Sequence, residues 1–324
     1  MKTIALEEHF ISPLCRESLP PHVGRKSDYD DLRMRLGYDA AEQLADLGEK
    51  RIQAMDAAGI DVQVLSLTLP GAQRGTAEAS LAVAMDANDR IFEAIKRYPT
   101  RFSGFAAIPT VDPGAAAKEL DRAVTRLGFK GALINGHTEG CFLDDKKYWT
   151  IFECAESLDV PIYLHPNRLH RTVHDYYFSG YEEMARAAWG YALDTSTHFL
   201  RILLSGVFDA YPRLKIILGH LGEGIPFGMH RFAEHTRLGA ARKGLRKTPE
   251  EYLRDHLIVT TSGSLFVPAF LCTVMALGID NVLFSVDWPY EANTQAMEFL
   301  KSLPISEIDR EKVAHLNAER VLRL

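Results

Sequence analysis

The sequence predicts an α/β protein built as a (β/α)8 TIM barrel, and three observations predict it. Eight short apolar runs bounded by turn residues recur along the 324 residues. Helical or loop-like sequence separates each run from the next. Several runs, such as Lys215-Ile216-Ile217-Leu218, are continuously apolar rather than alternating, which suits parallel strands covered on both faces. With no linker and no internal repeat, the simplest organisation is one catalytic barrel domain spanning residues 1–324, with long loops at its C-terminal face.

In chain order the expected strands are Thr3–Leu6, Val62–Leu67, Ser103–Ile108, Phe129–Ile134, Pro161–Leu164, Lys215–Leu218, Leu257–Thr261 and Val282–Ser285. Between the first two, the stretch Ala41–Ala58 carries Leu44, Leu47, Ile52 and Met55 and reads as one amphipathic helix. After the third strand, Asp112 can cap a helix, Pro113 suits its first position and Gly128 its end. Ala116, Leu120, Ala123, Val124 and Leu127 recur along it at helical spacing. Two connections are longer than a plain barrel needs, residues 12–40 and about 166–197, and both are candidate substrate lids.

Composition excludes several classes. With 47% hydrophobic and 25% charged residues the chain is not disordered. A net charge of −6 gives no electrostatic footprint for nucleic acid. The four cysteines have no metal or disulfide spacing, and no stretch reaches the ~20 apolar residues that span a bilayer. The first nine residues bring two acids and a histidine where a signal peptide would need an apolar core, so a cytoplasmic protein is expected. A GxGxxG after a strand, a P-loop and a GxSxG elbow are all absent.

In a barrel the active site forms at the C-terminal strand ends, and here those ends are polar. The first ends in Glu7-Glu8-His9, the fifth in His165-Pro166, the sixth leads to His220 and Glu223, and the eighth to Asp287-Trp288-Pro289. Glu7 and His9 are two apart on a strand, so they share a face while Glu8 points away. Together with His165 and Asp287 they offer two imidazole nitrogens and two carboxylates, a set suited to Zn2+, Mn2+ or Fe2+. Taken singly, each is also explained as a hydrogen-bonded residue at a strand end. The fourth strand ends in Ile134-Asn135-Gly136, without a lysine to bridge two ions, and Lys130 lies at the wrong end of its run, so a mononuclear site is expected. His220 and Glu223, in a glycine-rich turn, read as a proton-handling pair, although His220 could also be a fifth ligand or a helix-entry cap. His137 and His170 follow strand ends and are flagged as pocket residues.

At these residues the sequence resembles the metal-dependent decarboxylases of the amidohydrolase superfamily, especially the γ-resorcylate (2,6-dihydroxybenzoate) and 2,3-dihydroxybenzoate decarboxylases. The resemblance runs along nearly the whole chain. It is carried by Ala5-Leu6-Glu7-Glu8-His9-Phe10, by residues 129–136, by Leu164-His165-Pro166, by Gly219-His220-Leu221-Gly222-Glu223 and by residues 283–289. Glutamate in place of the first histidine of the usual HxH marks this decarboxylating branch. The resemblance implies Glu7, His9, His165 and Asp287 as ligands of one divalent ion per subunit, Mn2+ or Zn2+ with Mg2+ also admissible. It further implies Asp287, His220 and Glu223 as the catalytic proton network, Asn135 and Arg231 as substrate contacts, and a homodimer or homotetramer. The activity it implies is nonoxidative decarboxylation of an ortho-hydroxylated benzoate, a small aromatic acid. In that reaction substrate carboxylate and hydroxyl chelate the ion, and Asp287 protonates the ring carbon. Departures from the relatives, Asn167-Arg168-Leu169 after His165-Pro166 and His230 before Arg231, bear on ring substituents. Two other readings are a mononuclear lactonase-type hydrolase of the same superfamily and a noncatalytic barrel that keeps a metal for structure.

Overall fold

The structure, a computed structural model, describes residues 1–18 and 30–324; residues 19–29 of the long first connection lie outside the described residues. The strands are β1 (Ile4–Phe10), β2 (Val62–Leu67), β3 (Phe102–Gly104), β4 (Ala106–Ala107), β5 (Ala132–Asn135), β6 (Ile162–His165), β7 (Ile216–Leu218), β8 (Leu257–Thr260) and β9 (Val282–Leu283). Every pairing is parallel and follows chain order, β1-β2-β3 and then β4 through β9. β3 and β4 are one stave of the barrel interrupted at Phe105. The Phe105 N–H bonds back to Leu65 at 2.9 Å and the Ala106 N–H onward to Gly131 at 2.8 Å. The last strand returns to the first where the His9 N–H is donated to the Trp288 carbonyl at 2.7 Å.

Inside the barrel, Ile4 and Leu6 meet one inward residue from each other stave: Val64, Phe105, Leu133, Tyr163, Ile217, Ile258 and Leu283. Ala318 and Leu322 of the helix Asn317–Leu322 seal this layer from the N-terminal end. Lys130 is at that same end, with its ammonium donating to the Arg323 carbonyl at 2.9 Å. A second, larger core lies between strands and helices, where the helix Pro113–Leu127 buries Ala116, Leu120 and Ala123. Its ends follow the expected chemistry, with Asp112 accepting from two backbone N–H groups and Gly128 left-handed at φ 76°.

Two expectations are corrected. The stretch Ala41–Ala58 is not one helix but two, Ala40–Ala45 and Glu49–Ala58, because the Asp46 side chain takes the N–H groups of Gly48 and Arg51 and opens a new helix there. The first strand does not stop at Leu6. It continues through Phe10, pairing His9 with Ser66, after a register shift between Ala5 and Glu8. That bulge gives β1 one extra residue, so Leu6 still faces the apolar interior while Glu7 and His9 turn into the mouth above it. Among the described residues no helix is long and apolar enough to cross a membrane, and all four cysteines are free.

Candidate metal centre

Glu7, His9, His165 and Asp287 come together at the C-terminal mouth, each offering one ligand atom within 4.8 Å of the others. Tautomers follow from the partners. The His165 Nδ1 faces only the Pro166 carbonyl, at 2.8 Å, so it donates there and Nε2 is left toward the cluster. The His9 Nδ1 is held by Ser66 Oγ at 3.1 Å, again leaving Nε2 toward the cluster. Three of the converging atoms, Glu7 Oε1, His9 Nε2 and Asp287 Oδ1, are buried without a hydrogen-bond partner. Together with His165 Nε2 these three make two imidazole nitrogens and two carboxylate oxygens, a set that fits a single divalent ion.

Glu7 is the best-anchored of the four. Its Oε1 lies 3.1 Å from His165 Nε2 and 3.9 Å from His9 Nε2, while its Oε2 accepts from the Tyr163 and Ser262 hydroxyls. Burial would raise its carboxyl, but the imidazoles of His220, His165 and His9 prevail and hold it far below the usual carboxylate range. Glu8 points the other way, as expected, and ties β1 to the last stave. Its Oε1 accepts from the Val286 N–H at 3.0 Å and its Oε2 from Gln63 Nε2 at 3.2 Å. Burial pushes the Glu8 carboxyl up to about 8, against the pull of the Val286 N–H and the Arg51 charge.

Asp287 sits past β9 in a left-handed conformation, φ 78°, in a turn whose Tyr290 N–H returns to its carbonyl at 2.8 Å. Arg35 straps the turn from outside, donating to Glu291 Oε2 and to the Tyr290 carbonyl, both at 2.7 Å. The Asp287 carboxylate spans two environments, with Oδ1 3.3 Å from His9 Nε2 and Oδ2 3.6 Å from His220 Nε2. His220 in turn donates from Nδ1 to Glu223 Oε1 at 2.7 Å. Burial works to lower the His220 value, but Glu223, Glu7 and Asp287 outweigh it and raise it well above that of a free imidazole. The turn bearing this pair is left-handed at His220, Leu221, Gly222 and Glu223, and each of its non-glycine residues costs of order 1–3 kcal/mol of backbone strain.

A cavity of about 670 Å3 opens over these groups, with His165, His220, Glu223 and Asp287 on its floor and Leu69 and Trp189 on its walls. Two expected substrate contacts are not among its lining residues. Asn135 is buried beside it, its Nδ2 directed to the Leu67 carbonyl at 3.4 Å and its own carbonyl taken by Gln73 and Asn167. Arg231 stands exposed on the helix Ile225–Arg242, because Met229 and Ala233 on the opposite face are the residues that pack inward. His137 and His170 do not line the cavity either; the His137 Nδ1 accepts the Gly140 N–H and His170 caps the helix Arg171–Tyr177. Sequence reasoning missed Tyr163, which reads as one more apolar strand residue, and Ser262. The polar run Thr260-Thr261-Ser262 at the end of β8 was a usable signal for the latter.

Known proteins resemble this chain along its whole length. The amidohydrolase family profile matches residues 19–324. The γ-resorcylate decarboxylase of Polaromonas sp. (strain JS666) is 38% identical over 337 aligned residues, covering 99% of this chain and 98% of that protein. A crystal structure of a 2,6-dihydroxybenzoate decarboxylase complexed with 2,6-dihydroxybenzoate superposes with a TM-score of 0.89 at 34% identity, covering 100% of both chains. A dihydroxybenzoic acid decarboxylase from Polaromonas sp. JS666, solved with bound manganese and the inhibitor 2-nitroresorcinol, superposes with a TM-score of 0.88 at 34% identity, covering 100% of this chain and 97% of that one. The chain therefore belongs to the amidohydrolase family.

Proposed function

We propose that this protein is a metal-dependent nonoxidative decarboxylase of an ortho-hydroxylated benzoate such as 2,6- or 2,3-dihydroxybenzoate. The observation that carries the reading is the placement of Asp287, one oxygen in the Glu7–His9–His165 cluster and the other facing His220 over an open cavity. Decarboxylation leaves an electron pair on the ring carbon, and a proton delivered to that carbon first makes the ring able to hold it. In this reading Asp287 delivers that proton. The His220 imidazolium, kept charged by Glu223, restores it to Asp287 Oδ2 and regains its own proton from solvent in the cavity it lines, so one solvent proton enters the ring for each carbon dioxide released. Glu7, His9, His165 and Asp287 would hold one divalent ion, Mn2+ or Zn2+ with Mg2+ also accommodated, which would orient the carboxylate and hydroxyl of the substrate and stabilise charge on oxygen. We further propose that the whole chain acts as one catalytic unit, in the cytoplasm, as a homodimer or homotetramer. Such an assembly would cover the exposed Tyr176, Tyr177, Tyr181 and Trp189, and light scattering reads its mass.

The lactonase-type hydrolase considered from the sequence finds no support in the γ-resorcylate decarboxylases matched over 99% of this chain. The test is carbon dioxide release by protein reconstituted with Mn2+ or Zn2+, across 2,6-dihydroxybenzoate, 2,3-dihydroxybenzoate and salicylate, with a chelated control. Metal-dependent release from at least one of them is expected. No release from any of them by metal-loaded protein would contradict the reading.

A further inference from the structure

Tyr163 rises from the apolar layer of the barrel, fully buried, and ends against a metal-site carboxylate. Its hydroxyl donates to Glu7 Oε2 and accepts from Thr260 Oγ1 at 2.8 Å. Ser262, also fully buried, donates to the same oxygen and accepts the His220 N–H at 3.1 Å. Each hydroxyl has a single hydrogen, and both are given to Glu7 Oε2, so Tyr163 and Ser262 can only accept in their other bonds. Gly219 completes the enclosure: a Cβ there would lie 2.6 Å from Glu7 Oε2 and 3.0 Å from Ser262 Oγ, so no side chain fits. One oxygen of Glu7 is thus fully engaged while the other, Oε1, has no partner and faces His165 and His9.

We propose that Tyr163 and Ser262 are positioning residues that lock Glu7 into presenting a single oxygen to the divalent ion. A histidine at this place would present one nitrogen by its own shape. A glutamate has two equivalent oxygens and a flexible stem, and the pair of hydroxyls supplies the missing restraint. Outer partners of metal ligands typically change metal affinity by about 10–100-fold. Because Ser262 also takes the His220 N–H, the same bond pattern links the ligand to the proton-handling turn.

The inference rests on the metal-site reading, and the experiment separates the two. Metal-free parent, Tyr163→Phe, Ser262→Ala and the double variant are titrated with Mn2+ against a fluorescent chelator. The Co2+ forms are compared by visible absorption, which reports the number of coordinating atoms. We expect about tenfold weaker Mn2+ binding in each single variant, a larger loss in the double variant, and a changed Co2+ spectrum in all three. Circular dichroism checks that they stay folded, and Ser262→Ala, the smaller change, carries the test if Tyr163→Phe does not fold. Parental affinity and an unchanged spectrum in the folded variants would overturn the positioning role alone. Failure of the parent to bind either ion would overturn the metal site itself.

Discussion

At the N-terminal end of the barrel, Ala318 and Leu322 close a layer of Ile4, Leu283 and the other inward residues of the staves, fully or almost fully buried and apolar but for the Tyr163 hydroxyl. At the C-terminal end the same strands finish in Glu7, His9, His165 and, past β9, Asp287, with Glu7 Oε1, His9 Nε2 and Asp287 Oδ1 left unpaired and left-handed backbone at His220, Leu221, Glu223 and Asp287. The bulge in β1 divides the two, placing Leu6 below and Glu7 above. One end is arranged to gain stability by burial, the other to hold atoms in positions that stability alone would not choose. Changes at the two ends should therefore separate stability from activity.

The largest separation is expected for Asp287→Asn, which keeps the shape, tolerates φ 78° and removes the acid. Turnover should fall by about a thousandfold or more, with unfolding free energy unchanged or raised, read from steady-state rates beside urea denaturation. The mirror experiment is Leu322→Ala, which opens a cavity under the barrel floor. About 3 kcal/mol of stability should be lost, with the rate constant of the residual folded enzyme within about twofold of the parent. If Leu322→Ala abolished turnover in folded protein, the two ends would not be independent.

A third change tests a buried histidine that belongs to neither end. His198 accepts the Leu143 N–H at 2.8 Å, and burial, with the charges of His137 and Arg201, pushes its value down to about 3. The folded protein excludes the charged form, whereas the unfolded chain protonates near 6.5. Its contribution is thus complete above about pH 6.5 and erodes as the pH falls toward 3, by about 2 kcal/mol at pH 5. His198→Gln should flatten the dependence of the melting temperature on pH between 5 and 7, and an unchanged slope would discount His198. The smallest effect expected is for Glu223→Gln, which keeps a bond to His220 Nδ1 but withdraws the charge. A loss of about tenfold in turnover, with metal content unchanged, is anticipated from assays paired with metal analysis.

Much of this contrast was legible in the sequence. The eight staves, the helix from Pro113 and the four converging residues follow from local spacing, because strand ends in a barrel share one mouth. What was not legible depends on contacts between residues far apart in the chain. The bulge after Ala5 is set by pairing with β2 and by the Ser285 hydroxyl that takes the Glu7 N–H at 2.7 Å. The role of Tyr163 appears only when β6 stands opposite β1, and its run reads as ordinary core. The break at Asp46 could have been read, since an Asp-Leu-Gly sequence favours a new helix start over a continuous one. The outward direction of Arg231 follows from which face of its helix carries Met229 and Ala233.

The most direct test of the central claim, that Asp287 protonates the ring and the carboxylate leaves as carbon dioxide, is to identify the first one-carbon product during turnover in D2O, using mass spectrometry faster than carbon dioxide hydration. The account predicts carbon dioxide as the first species, with one deuterium in the product at the carbon that lost the carboxylate. Bicarbonate as the first species would show water attacking the carboxyl group instead, and would contradict it.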